Sequence, residues 1–132
     1  MTPPEHGELS DTSDRPDVVW RQDERVYVVR PSGALDFSNV ARLQIAALAI
    51  PREALGLVLD LSDASFLDSA VMRLIFDLEH DLPRARQVFR MVCSPDSSVA
   101  RRLALMGFNQ RPICAATEAD AIEEIQSESA RD

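Results

Sequence analysis

The run LGLVLDLSD, Leu55 to Asp63, limits this chain's architecture more than any other segment. It has the length of a strand, is apolar at nearly every position and is bounded by turn-forming residues. A strand exposed on one face would alternate apolar and polar residues. A run without alternation suits a central strand covered by helices on one or both sides. Amphipathic helices flank it in the sequence. Before it, Ser38 reads as an N-cap, and Val40, Leu43, Ala47 and Ile50 share one face at three- and four-residue steps until Pro51. After it, Asp68-Ser69 opens a helix whose stripe is Val71, Leu74, Ile75, Leu78 and Leu82, stopped by Pro83.

The same pattern extends in both directions. VVW and RVYVVR, within Val18 to Arg30, read as two short strands of a hairpin around the turn QDE, and Pro31-Ser32-Gly33 breaks the second strand. Gln87 to Cys93 is a further strand. SPDSS then caps a helix through Met106, with Gly107 at its C′ position and Phe108 as the hydrophobic neighbour. Ile113 to Ala115 forms a last short strand, and Thr117-Glu118-Ala119-Asp120 opens a helix to about Gln126 with Ala121, Ile122 and Ile125 facing inward. The predicted order β-β-α-β-α-β-α-β-α makes this an α/β protein. Strict alternation after the hairpin implies right-handed crossovers and a mostly parallel sheet with the hairpin as its antiparallel edge. Residues 1–17 hold three prolines, five acids and almost nothing to bury, so a disordered leader is expected, followed by one domain over 18–127 and a frayed tail over 128–132.

Composition narrows the function. At 132 residues the chain fits one domain, and its net charge of −8 argues against a nucleic-acid surface, which needs clustered cations. No apolar run approaches the ~20 residues of a membrane span. Met1 to Asp17 lacks a basic segment followed by an apolar one, so the expected location is the cytoplasm. Cys93 and Cys114 follow apolar residues in strand-like segments and read as buried thiols. No glycine-rich phosphate loop follows any strand. His6 lies in the leader and His80 sits between Glu79 and Asp81, neither at triad or metal-ligand spacing. The expectation is a protein-binding module with no catalytic group, no cofactor and no metal.

Leu67-Asp68-Ser69-Ala70 stands at the entry of the most apolar helix. A short polar pair there is ordinarily an N-cap and nothing more. However, Asp36 lies at the equivalent strand-to-helix junction of the preceding unit, so a parallel sheet should bring Asp36, Asp68 and Ser69 to one carboxyl edge. Met72 and Phe76, beside Arg73, fall on the flank of the helix stripe. Such residues either pack under a neighbouring loop or form an adaptable apolar patch next to the acidic corner.

Three strings carry a family resemblance: GALDF; LGLVLDLSDASFLDSA; and SPDSSVARRLALMGF. In this order and spacing the chain resembles a STAS domain of the anti-sigma-factor antagonist family over residues 18 to about 127. The most specific part is an apolar strand ending in D-L-S, then an aromatic, an apolar residue and D-S, matched by Asp60-Leu61-Ser62 and Phe66-Leu67-Asp68-Ser69. The resemblance implies a STAS fold with a mixed, mostly parallel sheet of about five strands, about four helices and the hairpin at its edge. It implies a cytoplasmic, bacterial regulator of transcription, monomeric or weakly dimeric. Its partner would be an anti-sigma factor with serine kinase activity, which phosphorylates Ser69.

Asp36 and Asp68 match the family's acidic residues around that serine, and the partner-binding set is Asp36, Asp68, Ser69, Ala70, Met72, Arg73 and Phe76. On this reading the helix N-terminus would hold the phosphate through unpaired N–H groups. The added charge would repel the neighbouring acids and release the partner. The family pattern continues with Ser/Thr and Gly where this chain has Ala70 and Val71; Ala70 removes a hydroxyl, and Val71 adds bulk. These departures favour the alternative, a STAS subunit of a larger signalling or lipid-transport assembly that is never phosphorylated.

Overall fold

This computed structural model describes residues 18–108 and 114–130, together with the backbone of 6–8. The elements are β1 (His6–Glu8), β2 (Val18–Asp23), β3 (Val26–Leu35), α1 (Val40–Leu48), β4 (Gly56–Asp60), β5 (Asp63–Leu67), α2 (Ser69–Arg84), β6 (Val88–Val92), α3 (Ser98–Leu105), β7 (Cys114–Ala115) and α4 (Glu118–Ala130). Spatial order is β1-β2-β3-β4-β6-β7, with β5 paired to the far half of β3. The β1/β2 and β2/β3 pairs are antiparallel, and all the others are parallel.

Both faces of the sheet are covered, which explains why β4 reads apolar throughout. Tyr27, Val29, Leu57 and Leu59 join one core with Leu43 of α1, Leu74 and Ile75 of α2 and Leu103 of α3. Val26, Val28, Val58 and Val92 point the other way and pack on Ala121, Ile122 and Ile125 of α4. The period of 2 therefore sends alternate residues of the same strands into two apolar layers. All five residues of β4 are buried.

The structure departs from the sequence expectations at several element boundaries. The hairpin turn is Glu24-Arg25 rather than QDE; both residues have positive φ (48° and 70°), the twist favoured by two-residue hairpins. Pro31-Ser32-Gly33 does not end the strand: β3 continues to Leu35, with Gly33 at φ 82° where the pairing with β5 shifts register. The strand β5 itself, DASFL, buries only Leu67, so no alternation announces it. The leader triplet His6–Glu8 pairs with β2 in a segment expected to be disordered, since ladder bonds need no buried side chain. The rest of residues 1–17 and Ile113 lie outside the described residues. Asn39, not Ser38, occupies the N-cap position of α1, and Pro83 sits inside the last turn of α2. The last helix runs past Gln126 to Ala130, because Arg90 of β6 grips Glu124 (2.9 Å) and Glu128 one turn on. Cys93 is buried as expected, but Cys114 is exposed at the sheet edge. Among the described residues no helix is long and apolar enough to cross a membrane.

Candidate functional site

The pairing of β3 with β5 builds the site. Leu35 and Leu67 are register partners, and the Asp68 amide donates to the Leu35 carbonyl at 3.1 Å. The next residues, Asp36 and Asp68, therefore leave the sheet side by side at its carboxyl edge. Asp68 is the N-cap of α2. Its Oδ1 accepts from the amides of Ala70 (2.9 Å) and Val71 (3.2 Å), and its Oδ2 accepts from the Phe37 amide at 2.8 Å. One carboxylate thus caps α2 and ties it to the loop leading into α1.

Asp36 folds back on its own turn. Its Oδ1 accepts from the hydroxyl and the amide of Ser38, and these bonds hold its carboxyl below the usual aspartate range. Its amide donates to Asn39 Oδ1 at 3.0 Å. Ser69 follows Asp68 as the first residue of α2 and is exposed. The acidic corner with a hydroxyl in it is therefore present. One expectation about it needs correction: the Ala70 and Val71 amides already serve Asp68, and the Met72 amide bonds the Asp68 carbonyl at 3.0 Å. Three of the first-turn donors expected to hold a phosphate are therefore occupied.

The flanking residues separate into core and surface. Val71 is fully buried, so its extra bulk points into the core and not toward a docking partner. Ala70 is half-buried and Arg73 exposed. Met72 is only 5% exposed, and Phe76 is half-buried with its ring centroid 4.8 Å from that of Phe108. They form the floor of a groove of about 360 Å³ between α2 and α3, lined by Ser69, Arg73, Arg102, Leu105 and Met106 as well.

The apolar surface beside the site comes from Phe66, the aromatic of the family string, and from residues that sequence reasoning did not place at the site: Phe37 (80% exposed), Leu105 (85%) and Met106. Arg102 was also missed. Its Nε donates to the Leu67 carbonyl at 2.7 Å and its guanidinium lies 4.6 Å over the Phe66 ring. A signal existed in SVARRLALMGF: the buried pair Val99 and Leu103 defines the inner face of α3, which leaves Leu105 off the stripe.

A second charged cluster pins α4 to the sheet. Asp60, at the end of β4, is 4% exposed and holds its proton up to about 6, first through burial and then through its hydrogen bond to Glu118. That bond, followed by the Arg21 contact, lowers the Glu118 carboxyl. Arg30 lies 3.6 Å from Glu118 and 3.5 Å from Asp63. Ser62 donates its amide and hydroxyl to Asp60 Oδ1. Every acceptor and cation in the cluster has a partner, which suits a structural pin. Among the described residues no group of three or more His, Cys, Asp and Glu side chains could hold a metal ion.

The sequence profile of the STAS domain matches residues 17–121. The chain belongs to the STAS domain family. An anti-sigma factor antagonist from Mycobacterium paratuberculosis shares this STAS fold at a TM-score of 0.75 and 23% identity, over 89% of this chain and 99% of that one. The anti-sigma factor antagonist SpoIIAA in its unphosphorylated form superposes at a TM-score of 0.58 and 22% identity, over 83% and 97% of the two chains. A sulfate transporter family protein from Wolinella succinogenes does so at 0.65 and 13% identity, over 83% and 91%. No curated protein sequence matches this STAS chain.

Proposed function

We propose that this STAS domain is a cytoplasmic anti-sigma-factor antagonist. It binds an anti-sigma factor with serine kinase activity through the edge formed by Asp36, Asp68 and Ser69, and through the adjoining face of α2 with Ala70, Arg73 and the groove over Met72 and Phe76. The observation that carries this reading is the exposed Ser69 at the first position of α2, directly after a capping aspartate and beside a second acid just past the end of the neighbouring strand. The domain acts as a binding module, and the chemistry belongs to the partner. Transfer of the γ-phosphoryl group of ATP to Ser69 Oγ gives a phosphoserine, ADP and a proton. The modified corner then carries a further −1.5 to −2 charges next to Asp36 and Asp68, and the acidic crowding releases the partner. The antagonist names of the two structural neighbours support this reading.

The test is incubation of the full chain with a purified kinase-type anti-sigma factor and ATP. The expected result is a mass gain of one phosphate on Ser69, lost in Ser69→Ala, with capture of the anti-sigma factor by the unmodified chain only. Absence of modification, together with unaltered partner capture by Ser69→Glu, defeats the switch.

A second reading is supported by Ala70 in place of the pattern's second hydroxyl and by the likeness to a sulfate transporter family protein. The domain would then be an unphosphorylated subunit of a larger signalling or lipid-transport complex. Co-purification with such a complex, unaffected by Ser69→Asp, would favour it.

A further inference from the structure

We propose that a phosphate on Ser69 is held by the chain's own Arg73 and Arg102, which latch the start of α2 to α3 across the groove between them. This rests on the reading of Ser69 as the modified residue and adds what the modification does to the molecule itself. The amides of Ala70, Val71 and Met72 do not supply the counter-charge while Asp68 caps the helix, because that carboxylate and the Asp68 carbonyl already take them. A phosphate placed one residue after a capping carboxylate, and beside Asp36, needs cations from elsewhere.

Both arginines among the residues lining the groove are within reach of that position. Arg73 is four residues past Ser69 on α2, and helical side chains lean toward the N-terminus, over the preceding turn. It now faces Asp77 at 3.9 Å with both side chains mostly exposed. In that pair the acid lies C-terminal to the base, the weaker orientation; a phosphate at position 69 would be N-terminal to Arg73, the stronger one. Arg102 approaches from α3. Its bond to the Leu67 carbonyl uses Nε alone and fixes the guanidinium beside the strand end that leads to Ser69. Among the described residues the two Nη groups have no other acceptor, and the guanidinium fork matches phosphate oxygens in a bidentate contact. Asp36 and Asp68 from the strand ends and Asp77 from α2 oppose the phosphate; Arg73 and Arg102 are the cations that line the groove with it. A phosphate bridging them draws the two helices together over Met72 and Phe76. Modification would therefore hide apolar docking surface as well as add charge.

The experiment uses the full chain with phosphoserine installed at position 69 during translation, followed by phosphorus NMR through the second phosphate ionisation. In the parent chain the phosphate is expected to titrate about half a pH unit or more below its value in the double variant Arg73→Gln/Arg102→Gln, since nearby cations favour the dianion. Each single variant should fall between them, and the difference should shrink in concentrated salt. Both arginines are exposed, so circular dichroism should show that every variant keeps its fold. Coincident titrations in all four proteins would overturn the latch. Because no kinase is involved, failure of a kinase to modify Ser69 would defeat the switch without affecting this measurement, and coincident titrations would leave release by direct obstruction standing.

Discussion

At the scale of single residues, Asp68 shows how one side chain can serve a fold and a site together. Its carboxylate accepts from two amides of α2 and one of the loop into α1. Asp68→Ala should therefore cost about 1–2 kcal/mol, at the upper end for a lost N-cap, seen as a lower urea midpoint at unchanged slope. A change of a few tenths would show that the cap is dispensable. Asp60 makes the opposite kind of contribution. Its folded-state ionisation is raised from 3.8 to about 6, so the native chain keeps a proton that the unfolded chain releases. Protonation then favours the fold, and this contribution is complete below about 4 and lost as pH rises to about 6. Asp60→Asn keeps a donor toward Glu118 and cannot ionise. Urea midpoints measured across that window should fall for the parent chain relative to Asp60→Asn; parallel curves would refute the assignment. The Ser62 bonds close a local turn within DLSD, whereas the Glu118 contact is made through tertiary proximity and could not be read from that string.

At the scale of elements, the helices were legible wherever an apolar stripe faced the sheet. The stripe Val71, Leu74, Ile75, Leu78 and Leu82 is buried in its entirety, and Gly107 ends the turn after α3 at φ 87° ahead of the buried Phe108, as the sequence implied. The misread boundaries lie where a backbone partner or an ion pair, rather than burial, sets the limit. The strand β5 exists because β3 offers it a ladder, and the last turn of α4 exists because Arg90 is clamped by Glu124 and Glu128. The Arg90 side chain is 11% exposed while those of Glu124 and Glu128 are far more open to solvent, so removing its charge leaves two like charges one turn apart with no cation to hold them to the sheet. Arg90→Met should leave the sheet intact and lower hydrogen-exchange protection in the last two turns of α4; unchanged protection there would show that propensity alone sustains them.

At the scale of the whole molecule, the parallel sheet turns two distant sequence stretches into one edge, and the packing of α3 against β5 decides which apolar residues remain outside. Leu105 is 85% exposed and Met72 5%, although a list of hydrophobic residues near Ser69 would rank them alike. Leu105→Ser should change stability by less than about 0.5 kcal/mol, whereas Met72→Ala should cost about 2–4 kcal/mol. If the α2–α3 face is the docking surface, Leu105→Ser should also weaken partner capture at unchanged stability. Equal stability losses in the two variants would mean that α3 packs differently.

The periodicities of the chain, 2 in the strands and 3.6 in the helices, determined the α/β class, the order of the elements other than β1 and β5, and the junctions carrying Asp36, Asp68 and Ser69. They did so because burial of an apolar face is a local property of consecutive residues. Only the tertiary structure decided that Asp68 also takes the Phe37 amide, that Arg102 reaches the strand end before Ser69, and that Asp60 hydrogen-bonds Glu118. Those contacts join residues up to 58 positions apart, from Asp60 to Glu118, and no pattern within either segment encodes the distance between them.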